Sequence, residues 1–402
     1  MIFNLAQKYG SVLSTFLNTI LIVKFLDLEH LGLYAFLAAS GNIFTVFVSS
    51  GLRSMYLREI VKHRDNLENQ RIFTATAEIL PKIAAIVIAG IFLAVAWLAS
   101  FSIEDAATIA LIGTMLASSQ MTSQKLRSHG LNTLSQMVLN VRPVVLTLLL
   151  LFIGLTDVET LKTFFRGSII ASFAIPAILA YTFWIVKFRS LVFSRVRFSA
   201  IIHGAWKISK ELPGLFMLAM GQKVTTRSDV ILLTVLLGLE AAGTYRIATQ
   251  IVTVANSSQF PIQSKFLKKY ARLLYKEKLR AAEIIAQRVA RISVALYLSF
   301  FFAAVVVIYH SPYLEEIKYR PDFIWSLGFL ALTGLVQAGF PMVESYVVYR
   351  NNTNKGGLIQ LGVVIGNILL HLMLIPLLGL PGACLTALIS VLFWRFAVKK
   401  FL

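Results

Sequence analysis

Cysteine is nearly absent. The chain holds one, Cys384, set in an apolar run, which excludes a disulfide framework and any metal site built on thiolates. A lone cysteine in such a setting reads as a small packing residue rather than a reactive thiol. Charge is scarce as well. Only 14% of the residues are Asp, Glu, Lys or Arg, while 57% are hydrophobic; an average soluble domain is about 25% charged. One large soluble core does not reconcile these figures, but helices with most of their sides against lipid do. Acidic residues are the scarcer sign, 19 against 38 Lys and Arg, for a formal net charge of +19. Nucleic-acid binders are also basic, but they do not carry apolar runs of this length, so nucleic acid is set aside as a partner.

The signatures of soluble catalysis are missing too. No P-loop, HExxH, CxxC or GxSxG occurs, so nothing points to an ATPase, a zinc hydrolase or a serine hydrolase. The six histidines are scattered. His371 falls inside an apolar run, where a packed or hydrogen-bonded imidazole is the ordinary reading. Asn256 and Asn351 each begin a glycosylation sequon, but in membrane or cytoplasmic segments, where it has no meaning. The N-terminus lacks a strong basic region and a convincing cleavage site, and is read as an uncleaved first span.

What the sequence does have is apolar runs of bilayer length, roughly 17 to 25 residues. Twelve are candidate spans: 11–26, 32–51, 83–101, 106–121, 136–153, 164–184, 212–236, 242–261, 289–308, 323–343, 358–375 and 382–397. The expected fold class is all-α, a polytopic membrane protein of about twelve transmembrane helices. With twelve spans both termini lie on one side, and the basic residues sort to match. Lys8, the cations of 53–82, Lys125 and Arg127, those of 187–210 and 265–291, Arg350 and Lys355, and Lys399 and Lys400 share the side of the termini. Lys24, Lys162, Lys318 and Arg320 fall on the other. Loops rich in Lys and Arg are cytoplasmic, so both termini are expected in the cytoplasm. The outer loops are short, which leaves no room for a folded external domain. Segment 265–286 mixes Phe266, Tyr270, Leu273 and Leu274 with many cations, and is expected to lie in the inner interface as a basic amphipathic helix.

An internal repeat is visible. The motif L-E-x-x-G-x-Y runs from Leu28 to Tyr34 and again from Leu239 to Tyr245. Both copies join one span to the next on the outside, and both precede a basic cytoplasmic segment. Six spans separate them, so they share an orientation. This implies two six-helix lobes related by an axis along the membrane normal: residues 1–190, a basic linker 191–210, and residues 211–402, around a central cavity.

Charge inside the membrane is costly and faces a cavity or a partner. Arg142, Arg166, Lys223, Arg227, Asp229, Arg246 and Glu344 fall within spans, and Lys24 and Arg53 near span ends. Lys223 and Arg227 are deep in span seven and, at i and i+4 of one helix, share a face. Two cations on one face cannot neutralise each other, so that face lines a hydrated cavity for an anionic group or meets acids from other helices. Asp229 points away from Arg227 toward another helix. Arg142 precedes Pro143, which can kink span five. Arg166 and Arg246 lie near the outer surface, where snorkelling accounts for them. Glu344, near a cytoplasmic end, has Arg350 as a ready partner.

Several stretches together resemble the polysaccharide-biosynthesis flippases, the O-antigen type of lipid-linked oligosaccharide flippase, within the superfamily that also holds the multidrug exporters and the peptidoglycan lipid flippase. They are Lys24 followed by the turn through Gly32 and Tyr34, then Gly51-Leu52-Arg53 and Arg58-Glu59, and in the second half Asp229, Gly243-Thr-Tyr-Arg-Ile-Ala248 and Pro261. Lys24 stands where arginine is usual and Leu28 where proline is. The resemblance implies no enzyme and no cofactor, with an ion gradient or the membrane potential as energy source. It implies alternating-access transport of an undecaprenyl-pyrophosphate-linked oligosaccharide across a bacterial cytoplasmic membrane. On that view Lys24, Arg53, Arg142, Lys223 and Arg227 bind the anionic head group, and Asp229 and Glu344 serve in ion coupling or ion pairs. Membrane lipid is a partner, and a polysaccharide polymerase and a chain-length regulator are implied ones. A multidrug cation antiporter of the same fold is the first rival, opposed by the excess of buried cations. A membrane-embedded polymerase or glycosyltransferase is the second, opposed by the short, weakly acidic outer loops.

Overall fold

The structure is a computed structural model that describes residues 2–63, 66–98, 102–192, 196–197, 199–202, 206, 212–310, 312, 315–343, 346–347 and 353–401. Every regular element among them is helical. That is the form lipid allows, because a helix satisfies its own backbone polar groups. The first half comprises α1 (Ile2–Phe25), α2 (Leu28–Lys62), α3 (Leu67–Leu98), α4 (Ile103–Ser128), α5 (Asn132–Thr156) and α6 (Val158–Lys187). The second comprises α7 (Leu212–Thr225), α8 (Ser228–Leu237), α9 (Leu239–Ser257), α10 (Phe260–Tyr275), α11 (Leu279–Tyr309), α12 (Pro321–Gly339), α13 (Thr353–Leu378) and α14 (Leu380–Phe401).

Eight of these, α2, α3, α5, α6 and α11 to α14, are long and apolar enough to cross a membrane, and the chain is a multi-pass membrane protein. Helices α1, α4, α9 and the pair α7–α8 occupy the remaining runs read as spans. Ser102 caps α4 by accepting from Asp105 N–H at 3.2 Å. Asp157 caps α6 by accepting from Glu159 N–H at 3.0 Å. Each satisfies an orphan donor of a first turn.

Three expectations need correction. Several helices outrun their apolar runs: α2 has 35 residues, about 50 Å at about 1.5 Å per residue, and α3 starts well before residue 83. An apolar run measures the bilayer, not the helix. Span seven is two helices, since α7 stops at Thr225 and α8 starts at Ser228. The basic amphipathic helix is α10, and α11 begins at Leu279, so residues 280–286 belong to the next helix. Phe266, Tyr270, Leu273 and Leu274 of α10 pack on Ala282, Ile285 and Val289 of α11, while Lys265, Lys269 and Arg272 stay exposed.

Contacts gather the chain into two compact units, Met1–Ser11 with Leu37–Lys223, and Val12–Phe36 with Val224–Leu402. In the first, α4 packs against α3, α5 and α6, with Phe44, Val48, Ala85, Ala110 and Ala117 forming a core of large residues set into small ones. In the second, α12 and α13 pack on α14, and α9 on α11 and α12.

The two L-E-x-x-G-x-Y copies meet inside the second unit. A Cβ at Gly32 would overlap the backbone carbonyl of Leu239, and one at Gly243 would overlap that of Leu28. The contact is reciprocal: the glycine of each copy receives the first residue of the other. Small residues permit this backbone approach between membrane helices, and Tyr34 and Tyr245, two residues on, are both buried. Gly243→Ala is therefore expected to destabilise by about 1–3 kcal/mol, as overpacking does. Gly328→Ala, whose Cβ meets nothing within 4 Å, is the neutral control. Melting temperatures in detergent compare the two, and equal values would show that the helices part without cost.

Candidate functional site

The break in span seven places the deepest predicted cations. Val224, Thr225 and Thr226 separate Lys223 from Arg227, and β-branched residues are weak helix formers. Lys223 ends up in the last turn of α7. Arg227 is the N-cap of α8, with φ −134° and ψ −19°, and its N–H donates to the Val224 carbonyl at 3.1 Å. The i,i+4 helical face expected for the pair does not exist, because helical dihedrals end between them. Interrupted helices of this kind expose backbone and a positive helix N-terminus at membrane depth. Both side chains are half-buried, and the boundary between the two units falls just after Lys223.

Asp229 lies in the first turn of α8 and is buried. The helix N-terminus favours a carboxylate there. Its Oδ1 accepts from Val230 N–H at 2.8 Å, and its other oxygen accepts from the Tyr245 hydroxyl of α9. Its charge also acts on His371 of α13 and on Cys384 of α14. His371 is fully buried, with Nδ1 2.8 Å from the Asn367 carbonyl. The Asn367 side chain accepts from Ser228 at 3.0 Å and donates to Ser390 at 2.8 Å. One polar network thus runs from Ser228 of α8 through Asn367 of α13 to Ser390 of α14, and His371 joins it at the Asn367 carbonyl. Asp229, next to Ser228 in the chain, is held separately by Val230 N–H and Tyr245. Among the described residues no group of three or more His, Cys, Asp or Glu is placed to hold a metal ion.

The other predicted residues stand on other helices. Lys24 ends α1, exposed, with Nζ 5.3 Å from the Phe25 ring centroid. Arg53 is in α2 and half-buried. Arg142, one residue before the internal Pro143 of α5, lies over the Phe173 ring of α6 at 4.3 Å, a cation–π contact that holds the guanidinium against apolar surface. Glu344, with much of the basic linker, lies outside the described residues. Arg166 does more than snorkel. It reaches Glu104 at 2.6 Å and Asp105 at 3.0 Å, tying α6 to the start of α4. Arg246 lies over the Tyr34 ring at 5.9 Å.

Sequence reading missed a second buried cluster, in the first unit. Glu78 of α3 accepts from Lys125 of α4, and from Trp184 Nε1 of α6 at 3.0 Å on the same oxygen. Its other oxygen accepts from the Tyr181 hydroxyl at 3.3 Å and is 3.6 Å from Lys82 Nζ. Lys82 also donates to Tyr181 at 2.9 Å. The His129 ring closes over this group against Trp184 and Phe188, with centroids 5.4 and 4.7 Å apart. Burial lowers the His129 pKa, only partly opposed by its hydrogen bond to the Lys125 carbonyl, so this ring is neutral at pH 7. Lys82 and Lys125 sit just beyond apolar runs, which is why they count as loop cations on hydropathy alone. The signal in the sequence was Glu78, an isolated acid between Arg71 and Lys82.

Comparison with known proteins agrees with this architecture. The profile of the polysaccharide biosynthesis protein family matches residues 1–267. No curated protein sequence matches the chain. Among solved structures, the lipid II flippase MurJ in an inward closed conformation superposes with a TM-score of 0.61 at 15% identity, covering 100% of this chain and 88% of that one. A multidrug resistance MATE family transporter of the MOP superfamily superposes in its inward-facing form with a TM-score of 0.56 at 14% identity, covering 100% and 96%. An outward-facing structure of such a transporter gives 0.58 at 15%, covering 100% and 96%. At these identities the likeness is one of fold.

Proposed function

The chain belongs to the polysaccharide biosynthesis protein family, and from that premise we propose that it carries an undecaprenyl-pyrophosphate-linked oligosaccharide repeat unit across the bacterial cytoplasmic membrane by alternating access. It makes and breaks no covalent bond. Both termini are cytoplasmic, on the distribution of Lys and Arg. The cargo combines a polyprenyl tail that stays in lipid with a pyrophosphate that must cross. Cations at membrane depth offset the cost of that crossing, and Arg and Lys are the side chains that pair with phosphate.

The observation that carries this reading is the interrupted seventh span. Lys223 and Arg227 flank the break, and α8 begins there. The break adds a helix N-terminus to the two cations, which together suit an anionic group. Lys24, Arg53 and Arg142 complete the proposed head-group contacts. A polymerase and a chain-length regulator, which take up the translocated unit, are the proposed partners.

The buried acid Asp229 favours a second reading, a cation antiporter of the same fold. The two readings separate in one experiment. Purified protein is reconstituted in vesicles with a fluorescent polyprenyl-pyrophosphate oligosaccharide, and head-group movement is followed for wild type and Lys223→Ala/Arg227→Ala. The double variant is expected to be slower by about tenfold, the rate equivalent of about 1.4 kcal/mol, with its melting temperature intact. Wild-type transport by the variant removes the break from cargo binding. Transport of an organic cation but not of the oligosaccharide lipid by the wild type selects the antiporter.

A further inference from the structure

A cavity of about 350 Å³ opens in the second unit, at the end that carries the basic helix α10. Its volume is within the range of small-molecule sites, about 300–1,000 Å³. None of the residues placed above in transport lines it. Most of the wall is apolar: Ala286 and Ala290 of α11, Phe340 and Met342 beyond α12, and Val398 of α14. Tyr270 of α10 is also in the wall, and its hydroxyl pKa is pushed up to about 12, by burial first and by nearby Tyr346 second. The ring itself is buried in that wall. Arg395 of α14 lines the same space while only 9% exposed. Glu283 and Gln287 of α11, both exposed, mark the open side.

An apolar chamber with a buried guanidinium in its wall suits an amphipathic anion. The surroundings name its source. The helix that contributes Tyr270 packs its apolar face on α11 and leaves Lys265, Lys269 and Arg272 exposed. A basic amphipathic helix of this kind lies at the membrane interface and gathers anionic headgroups. Basic pockets between membrane helices on the cytoplasmic side take phospholipid headgroups. We propose that this cavity is a binding site for an anionic phospholipid, which lodges an acyl chain against Ala286, Ala290 and Phe340 and sets its phosphate toward Arg395 and the cations of α10. The site is separate from cargo binding and holds whether or not the oligosaccharide reading does.

Gly339 supplies the sharpest variant. It lines the cavity, and a Cβ built on it meets nothing within 4 Å. A side chain at this position thus starts from open space, and Gly339→Phe is the variant chosen to fill the chamber. The full chain is reconstituted in phosphatidylcholine nanodiscs containing a trace of phosphatidylglycerol with a photoactivatable acyl chain, and labelled peptides are mapped by mass spectrometry. Parallel arms use a phosphatidylcholine probe and a polyprenyl-phosphate probe. Labelling of residues 286–290 and 340–343 by the phosphatidylglycerol probe should exceed that by phosphatidylcholine by at least about fivefold, as attraction to a single interfacial cation gives. Gly339→Phe should abolish it while labelling elsewhere persists. Arg395→Gln, a variant independent of cavity filling, should erase the preference for phosphatidylglycerol. Equal labelling by the two phospholipids, or unchanged labelling in Gly339→Phe, overturns the proposal. Stronger labelling by polyprenyl phosphate that phosphatidylglycerol does not displace overturns it as well, and assigns the cavity to the cargo lipid.

Discussion

Glu78→Ala is expected to unfold the first unit under conditions where the wild type is stable. The substitution strands Lys125, whose side chain is 3% exposed, and removes the acceptor of Trp184 and Tyr181 together. Deleting one partner of a buried ion pair costs about 3–5 kcal/mol, because the survivor is left charged in a medium that cannot solvate it. That is a large share of the 5–15 kcal/mol by which native proteins are typically stable. The pair itself need not be favourable: a buried pair is often replaced by apolar residues of similar volume at no loss. Glu78→Gln/Lys125→Met is thus expected to recover most of the melting temperature that Glu78→Ala loses, while Lys125→Met alone does not. With Glu78→Gln added, the wild type, Glu78→Gln, Lys125→Met and the double variant form a double-mutant cycle, read by melting in detergent and by the monodisperse fraction on gel filtration. Equal losses for the single and double variants would show that the cluster acts through packing of the α3, α4 and α6 ends, and not through charge.

This cluster also shows where sequence reading stops. Hydropathy located the bilayer-length runs, because the cost of exposing backbone and charge to lipid is written into composition. The bias of Lys and Arg depends on the same physics and needs no coordinates. Neither property reports how far a helix continues beyond the lipid. Lys82 and Lys125, just past their runs, looked like loop cations until α3 and α4 proved longer. The repeat was legible as a motif, but its reciprocal glycine contact was not, since close approach is a property of two distant segments. The break in span seven left a faint trace. Thr225 and Thr226 form helix poorly, and Ser228-Asp229 is a favourable start, but the segment has neither glycine nor proline to mark a stop. Asp229 was legible as a buried acid. Its partner Tyr245, and the Asn367 and His371 joined to the neighbouring Ser228, come from other helices and carry no common spacing, so no pattern in one chain joins them.

Those partners set the second large effect, expected at Asp229. Asp229→Asn keeps the shape of the side chain, and its carbonyl oxygen can still accept from Tyr245. What it loses is the charge that acts on His371 and Cys384. If this carboxylate couples transport to an ion gradient, the variant folds with a melting temperature near that of the wild type and loses uphill transport. Hydrogen bonds to a charged group contribute about 1.5–3 kcal/mol, so gradient-driven rates should fall by up to about a hundredfold. Exchange of cargo at equal ion concentrations should survive, because the Lys223 and Arg227 side chains are untouched. His371→Gln should lose the same uphill component, and the double variant should be no worse than either single, as residues acting in one unit are non-additive. The discriminating measurement is cargo accumulation in vesicles under an imposed proton or sodium gradient, set against exchange in the same vesicles with the gradient collapsed. Equal loss of both would return Asp229 to a structural part, holding α8 to α9 through Tyr245. Retention of both would remove the whole α8–α13–α14 network from energy coupling, and leave the cations beside the break as the functional feature of span seven.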